Sequence, residues 1–174
     1  MTMNVSKTYT FENFNVDRRN SFAHFAAVEA SNSEKPLYNP IFIYGPRYEG
    51  KTHLLMAIEN RIKTEHPEKS VLYADAEDFY NEMISAIKES ASDYERLKVI
   101  RKIYRDVDVL IVDNIEFFMD KERTITEFFF TFEDLYLKGK QIVLSADRKP
   151  TELGDLDDCF GKRLEMGLVV SMGH

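Results

Sequence analysis

Ile41-Phe42-Ile43-Tyr44-Gly45-Pro46-Arg47-Tyr48-Glu49-Gly50-Lys51-Thr52 is the stretch on which the fold turns. Its first four residues form an apolar run too short for a helix and rich in β-formers, preceded by Pro36 and Pro40, so it reads as a buried strand. Gly45 to Thr52 then matches G-x-x-x-x-G-K-[ST]. That pattern points backbone N–H groups at phosphate oxygens, places a helix N-terminus behind them, and supplies a Lys for the β and γ phosphates and a hydroxyl for Mg²⁺. From Lys51 onward Leu54, Leu55, Ile58 and Ile62 mark one helix face that stops before Pro67. Strand, loop and helix follow in the order the motif requires, so Gly45, Gly50, Lys51 and Thr52 are read as a cradle for ATP or ADP. A plain Gly-rich turn with a surface Lys and Thr is the alternative.

Working outward, Phe22, Phe25, Ala26 and Ala30 recur at helical spacing, with Asn20 or Ser21 as N-cap, which predicts a helix of about three turns. Downstream, Val71 to Ala74 is a second short strand, and Asp75 caps a helix carrying Phe79, Met83, Ile84 and Ile87. A helix over roughly Asp93 to Arg105 follows, with Leu97, Ile100 and Tyr104 on one side. Val107 to Val112 is nearly all apolar, as a parallel strand covered on both faces would be. Lys121 to Lys138 is helical with Ile125, Phe128, Phe129, Phe132 and Leu135 inward; Gln141 to Ser145 is a fourth strand and Leu168 to Ser171 a fifth. This alternation predicts an α/β fold with a five-stranded, mainly parallel sheet flanked by helices.

The bulk properties narrow the function. A chain of 174 residues is one domain in size, and no apolar run approaches the ~20 residues that cross a bilayer, so no membrane partner is expected. The polar start lacks a secretory signal and the single Cys159 has no disulfide partner, which fits a reducing cytoplasm. A net charge of -7 opposes gripping nucleic acid over the whole surface, so any DNA contact is local. Basic clusters stand at Arg18-Arg19, at Lys98 with Arg101, Lys102 and Arg105, and at Lys121 with Arg123; taken alone, each reads more simply as a solvated helix face.

Two acidic positions extend the phosphate-loop reading. Asp113 ends an apolar strand about sixty residues after the loop, where P-loop proteins deliver a carboxylate to Mg²⁺. Asp147 follows the fourth strand, at the carboxyl edge of the sheet where ligands bind, although a turn role explains it as well. Arg163 lies beyond, in a helical segment, as an arginine finger or a surface Arg.

Beyond these motifs the chain resembles, nearly end to end, the AAA+ domain of the DnaA family of bacterial replication initiators. The resemblance is carried by Tyr9-Thr10-Phe11-Glu12-Asn13-Phe14, Phe22-Ala23-His24, Tyr38-Asn39-Pro40, Phe42-Ile43-Tyr44-Gly45, Gly50-Lys51-Thr52-His53-Leu54-Leu55, Val107-Asp108-Val109-Leu110, Lys121-Glu122-Arg123, Glu127-Phe128-Phe129, Gln141-Ile142-Val143-Leu144-Ser145 and Met166-Gly167-Leu168. It implies a P-loop NTPase (AAA+) core over 1–174, without the helical lid and the helix-turn-helix domain. It places Phe14, Val16, Asn20 and His53 around the nucleotide, Lys51 and Thr52 on phosphates and Mg²⁺, Asp113 on the metal and Asp147 as sensor of the terminal phosphate. Arg163 matches the finger that reaches ATP on the next subunit. Ile84, Lys121 and Arg123 match positions that touch single-stranded DNA. The function so implied is an ATP/ADP switch for self-assembly, alone or with an initiator-type partner, in replication initiation.

Departures set a second expectation. Tyr48 stands where the family has Gly, and a side chain at φ > 0 costs about 1–2 kcal/mol. Glu49 adds negative charge beside the phosphates, and Cys159 replaces an Arg of the finger region. Asn114 replaces the second acid of the metal strand, and an amide cannot take a proton from attacking water, so at most a slow ATPase is expected. Glu116 lies two residues further, ~7 Å away along an extended chain, and substitutes only if the loop path changes. The alternative function is a degenerate module that binds nucleotide weakly or not at all and regulates an initiator. A small P-loop kinase is disfavoured by the lack of an Arg-rich lid segment.

Overall fold

The computed structural model describes residues 9–32, 35–89, 94–154 and 158–173. The expected helix start at Asp93 and the side chain of Cys159 lie outside the described residues. Five strands, β1 (Ile41–Tyr44), β2 (Val71–Asp75), β3 (Val109–Asp113), β4 (Gln141–Ala146) and β5 (Leu168–Ser171), pair in the order β2-β3-β4-β1-β5. Every pairing is parallel, which sharpens the expectation of a mainly parallel sheet. The helices are α1 (Ser21–Asn32), α2 (Lys51–Glu65), α3 (Ala76–Glu89), α4 (Tyr94–Arg105), α5 (Glu122–Leu137) and α6 (Asp158–Glu165). None is long and apolar enough to cross a membrane.

The strands read as continuous apolar runs because both faces of the sheet are covered. Phe42, Leu110, Val112, Ile142 and Leu144 point into a core shared with α3, α4, α5 and α6. Their alternates Ile41, Ile43, Val109, Ile111 and Val143 point into a core shared with α1 and α2. In the first core Phe128 meets Phe79, Phe118 and Phe160 with ring centroids 5.5, 5.0 and 5.8 Å away. Phe118 belongs to a 3-10 turn, Ile115–Phe118, directly after β3, so this cluster anchors the loop that leaves β3.

Helix α1 departs from expectation in two respects. Phe22 and Phe25 are half exposed and stack on each other outside, while Ala23, Ala26, Ala27 and Ala30 form the buried i, i+3, i+4, i+7 stripe. Methyl side chains let α1 lie close on α2, a gap in which phenyl rings do not fit. Asn20 holds the N-cap position, its carbonyl accepting the His24 N–H at 2.9 Å, but its side chain does not cap the helix, and the turn before it is held by Asp17, whose Oδ1 accepts the N–H groups of Arg19 at 2.7 Å and Asn20 at 3.2 Å. Asn20 turns its own Oδ1 back to the Asp17 N–H at 2.8 Å. Strand β3 also starts two residues later than expected, at Val109. Asp108 just before it ties three strand starts together: its Oδ2 accepts from Ser70 N and Oγ, both 2.8 Å, and its Oδ1 from Lys140 Nζ at 2.7 Å.

The Lys140 and Ser70 hydrogen bonds hold the Asp108 carboxyl down at about 2. A carboxylate with a depressed folded pKa stabilises above its unfolded value, about 3.9, and that contribution is lost as pH falls toward 2. The group is partly exposed, so screening limits its worth to about 1 kcal/mol. Urea titrations between pH 5 and 2.5 are therefore expected to show a smaller acid loss in Asp108→Asn than in wild type; equal losses would exclude this tie as an acid-sensitive element.

Candidate nucleotide-binding site

The phosphate loop leaves β1 at the carboxyl edge of the sheet, where the Gly45 N–H donates to Ala146 O at 3.2 Å. Gly50, the N-cap of α2, has φ 94, and a Cβ there would stand 2.8 Å from Phe14 Cε2, so the ring of Phe14 and the loop approach each other only because this residue is Gly. Tyr48 takes φ 67 with its side chain fully exposed, so the loop keeps the left-handed turn and bears the strain expected of it. Lys51 is buried, and its Nζ donates to Gly45 O at 2.6 Å and Pro46 O at 2.9 Å. Burial lowers its pKa below the ordinary Lys value, opposed by the carboxylates of Asp113, Glu116 and Asp147. The ammonium is thus the cationic centre of an acidic cleft.

Thr52 Oγ1 donates to Asp113 Oδ2 at 2.6 Å. Asp113 is buried and also accepts from Tyr73 OH at 3.1 Å and from Ser145 Oγ. Burial beside this carboxylate pushes the Tyr73 phenol well above its usual range, which keeps it a donor. One hydroxyl and one carboxylate side by side, all oxygen, fit Mg²⁺, which takes one or two protein oxygens together with phosphate oxygens and water. Among the described residues no group of three or more His, Cys, Asp or Glu could hold a metal unaided. Strand β4 lies between β1 and β3, and its Ser145 supports Asp113 from the side.

Past Asp113 the chain does not stay extended. Asn114 has φ 60, a left-handed conformation for which Asn is enriched, and the 3-10 turn follows at once. Asn114 Nδ2 donates to Asp75 Oδ2 at 2.7 Å, so the amide serves the end of β2. The turn brings Glu116 into the cleft, where its Oε2 accepts the Asp147 N–H at 3.2 Å. This is the changed loop path that an extended reading of residues 114–116 lacked. Asp147 is held by Arg148, whose Nε and Nη2 lie 2.7 and 3.0 Å from its carboxylate, and that pairing lowers its pKa. The cleft so built has a volume of about 830 Å³, and its lining includes Lys51, Thr52, Asn114, Glu116 and Asp147.

The other expected residues fall into three places. His53 contacts the Thr10 carbonyl through Nε2 at 2.8 Å and meets Tyr9 and Phe14 edge-on, while Val16 is half exposed and Asn20 buried in the adjoining segment before α1. Ile84, Lys121 and Arg123 line a separate concavity with Tyr80, in which Lys121 Nζ lies 4.1 Å from the Phe117 ring centre. Arg163 is in neither: its Nη2 donates to Glu133 Oε2 at 3.1 Å and its guanidinium lies 5.5 Å from the Tyr136 ring centre. Asp75 caps α3 as expected, its Oδ1 accepting the Glu77 N–H at 2.9 Å, but sequence reasoning did not foresee that Asp75, Tyr73 and Ser145 position Asn114 and Asp113 from neighbouring strands, since only the strand order shows these ends are adjacent.

The family model for the bacterial DnaA ATPase domain matches residues 5–171. The chain belongs to that family. It is 43% identical over 169 residues to the chromosomal replication initiator protein DnaA of Thermodesulfovibrio yellowstonii, a match covering 97% of this chain and 37% of the relative. The DnaA of Deinococcus deserti is 44% identical over 168 residues, covering 97% and 36%. The chain therefore spans little more than a third of these relatives. The AMPPCP-bound DnaA of Aquifex aeolicus superposes with a TM-score of 0.89 at 39% identity, covering 97% of this chain and 51% of that one. A replication initiator DnaA bound to AMPPCP and single-stranded DNA matches with the same score, identity and coverage. The five-stranded sheet is that of DnaA AAA+ domains.

Proposed function

We propose that this DnaA-family domain binds ATP or ADP with Mg²⁺ and acts as a switch for self-assembly in the initiation of DNA replication. The observation that carries this reading is the convergence of Lys51, the Thr52–Asp113 pair and Asp147 on one cleft at the carboxyl edge of the sheet. Lys51 would hold the β and γ phosphates, Thr52 and Asp113 the metal, and Asp147 would respond to the terminal phosphate. The relative solved with AMPPCP has the same architecture. Arg163, outside this cleft, would serve the nucleotide of an adjacent subunit, so a homo-oligomer or an initiator-type partner completes the site.

Calorimetric titration of the purified chain with ATP and Mg²⁺ tests the proposal, with saturable binding as the expected result. The second reading, a degenerate partner of an authentic initiator, is favoured by Tyr48 in its left-handed conformation and by Glu49. Absence of heat and of any thermal shift at millimolar nucleotide would replace the switch with that module.

Single-stranded DNA is the second proposed ligand, taken by the concavity of Ile84, Lys121 and Arg123. Two cationic contacts on an acidic domain give weak binding whose logarithm falls with log salt at a slope of about -1.4, from about -0.7 per phosphate. Lys121→Ala or Arg123→Ala should each remove about half of that slope in a fluorescence anisotropy titration; salt-independent binding would exclude this surface.

A further inference from the structure

We propose that Glu116 faces the terminal phosphate of ATP and is the carboxylate that activates the attacking water, in the role that Asn114 cannot fill. The inference rests on the nucleotide-binding reading above and adds a catalytic residue to it. Three observations place the carboxylate. Asn114 lines the cleft, but its Nδ2 donates to Asp75 Oδ2 at 2.7 Å and an amide cannot take the proton of an attacking water. The left-handed turn at Asn114 and the 3-10 turn after it bring Glu116 back over the end of β3. Its Oε2 is fixed by the N–H of Asp147, the residue after β4, between the metal strand and the phosphate sensor.

Burial raises the Glu116 pKa above the ordinary Glu value, with Asp147 adding to the rise and Lys51 opposing it. Arg148, whose own pKa Glu116 helps to raise, faces it from the same loop as Asp147, and Arg47 lines the same cleft. A carboxylate with a raised pKa is a better base near neutral pH than an unperturbed one. In the step assigned to it, the water oxygen bonds to the γ-phosphorus and the bond from that phosphorus to the bridging oxygen breaks. The bridging electron pair leaves with ADP, and the water proton passes to the Glu116 carboxylate. The same charge opposes the γ-phosphate in the ground state, so Glu116 also weakens ATP relative to ADP.

Glu116→Gln separates these consequences. In calorimetry with Mg²⁺, the variant is expected to bind a non-hydrolysable ATP analogue at least threefold more tightly than wild type, with ADP affinity changed less than twofold. Titrations in two buffers of different ionisation enthalpy should show wild type taking up more protons with the ATP analogue than with ADP, a difference that vanishes in the variant. Single-turnover hydrolysis should fall by about 100-fold. Its acid limb, where wild type loses rate as pH drops through the raised carboxyl pKa, should disappear, and Glu116→Asp should recover part of the rate. Equal weakening of ADP and ATP would show that Glu116 only holds the Asp147 loop, and would overturn the proposal. Hydrolysis at an unaltered rate and pH profile, or wild type that binds ATP without hydrolysing it above background, would do the same. Wild type that binds neither nucleotide would instead overturn the underlying function.

Discussion

Lys51→Ala is expected to reduce nucleotide affinity about 100-fold, corresponding to ~3 kcal/mol for the loss of a buried cation from two phosphates. No other cation of the cleft is equivalent. Arg148 is committed to Asp147, and Arg47 stands on the loop ahead of the α2 N-terminus. The stability of the variant should hold. Because burial lowers the Lys51 pKa, the protonated side chain opposes folding below its unfolded value near 10.4 and that opposition is relieved only as pH rises toward it. Removing the ammonium at pH 7 takes away a burdened charge together with its bonds to Gly45 O and Pro46 O. Calorimetry and a thermal melt on one preparation check both halves. Retained affinity would remove the phosphate loop from the function, while a collapse in melting temperature would make the side chain structural.

Phe128→Ala should be the most damaging single truncation outside the cleft, destabilising the domain by about 3–5 kcal/mol against a total of about 5–15. Phe128 is fully buried and touches rings from α3, from α6 and from the 3-10 turn after β3. The rings of Phe79, Phe118 and Phe160 around the cavity are rigid and cannot bend into it. Urea unfolding measures the loss directly. A change below about 1 kcal/mol would mean that the cluster repacks and that the turn carrying Glu116 is held by other contacts.

What was legible in the sequence followed from local rules. The runs at Ile41, Val71, Val109, Gln141 and Leu168 announced strands because both faces of each are buried, and the phosphate loop announced its own flanks. What was hidden depended on neighbours distant in the chain. Phenylalanine outweighs alanine on any hydrophobicity scale, so periodicity sets Phe22 and Phe25 on the buried face of α1 beside Ala26 and Ala30, where close packing on α2 selects Ala23 and Ala27 instead. The place of Glu116 depended on one backbone angle at Asn114, which spacing along a strand does not report. Strand order hid Ser145: β4 lies between two strands whose motifs read as direct partners.

For the proposed assembly, the Arg163–Glu133 pair is an internal competitor. Nη2 is well bonded, but Nε lies 2.8 Å from Glu133 Oε1, a buried oxygen that receives no aligned hydrogen bond. The guanidinium is thereby held in place and incompletely satisfied at the same time. An anion offered by another molecule competes with Glu133 for the same guanidinium. Under the proposed assembly, engagement of Arg163 is an exchange of the Glu133 carboxylate for an anion of the adjacent subunit. Under the proposed switch, such an exchange would distinguish a neighbour's diphosphate from its triphosphate by relative rather than absolute attraction.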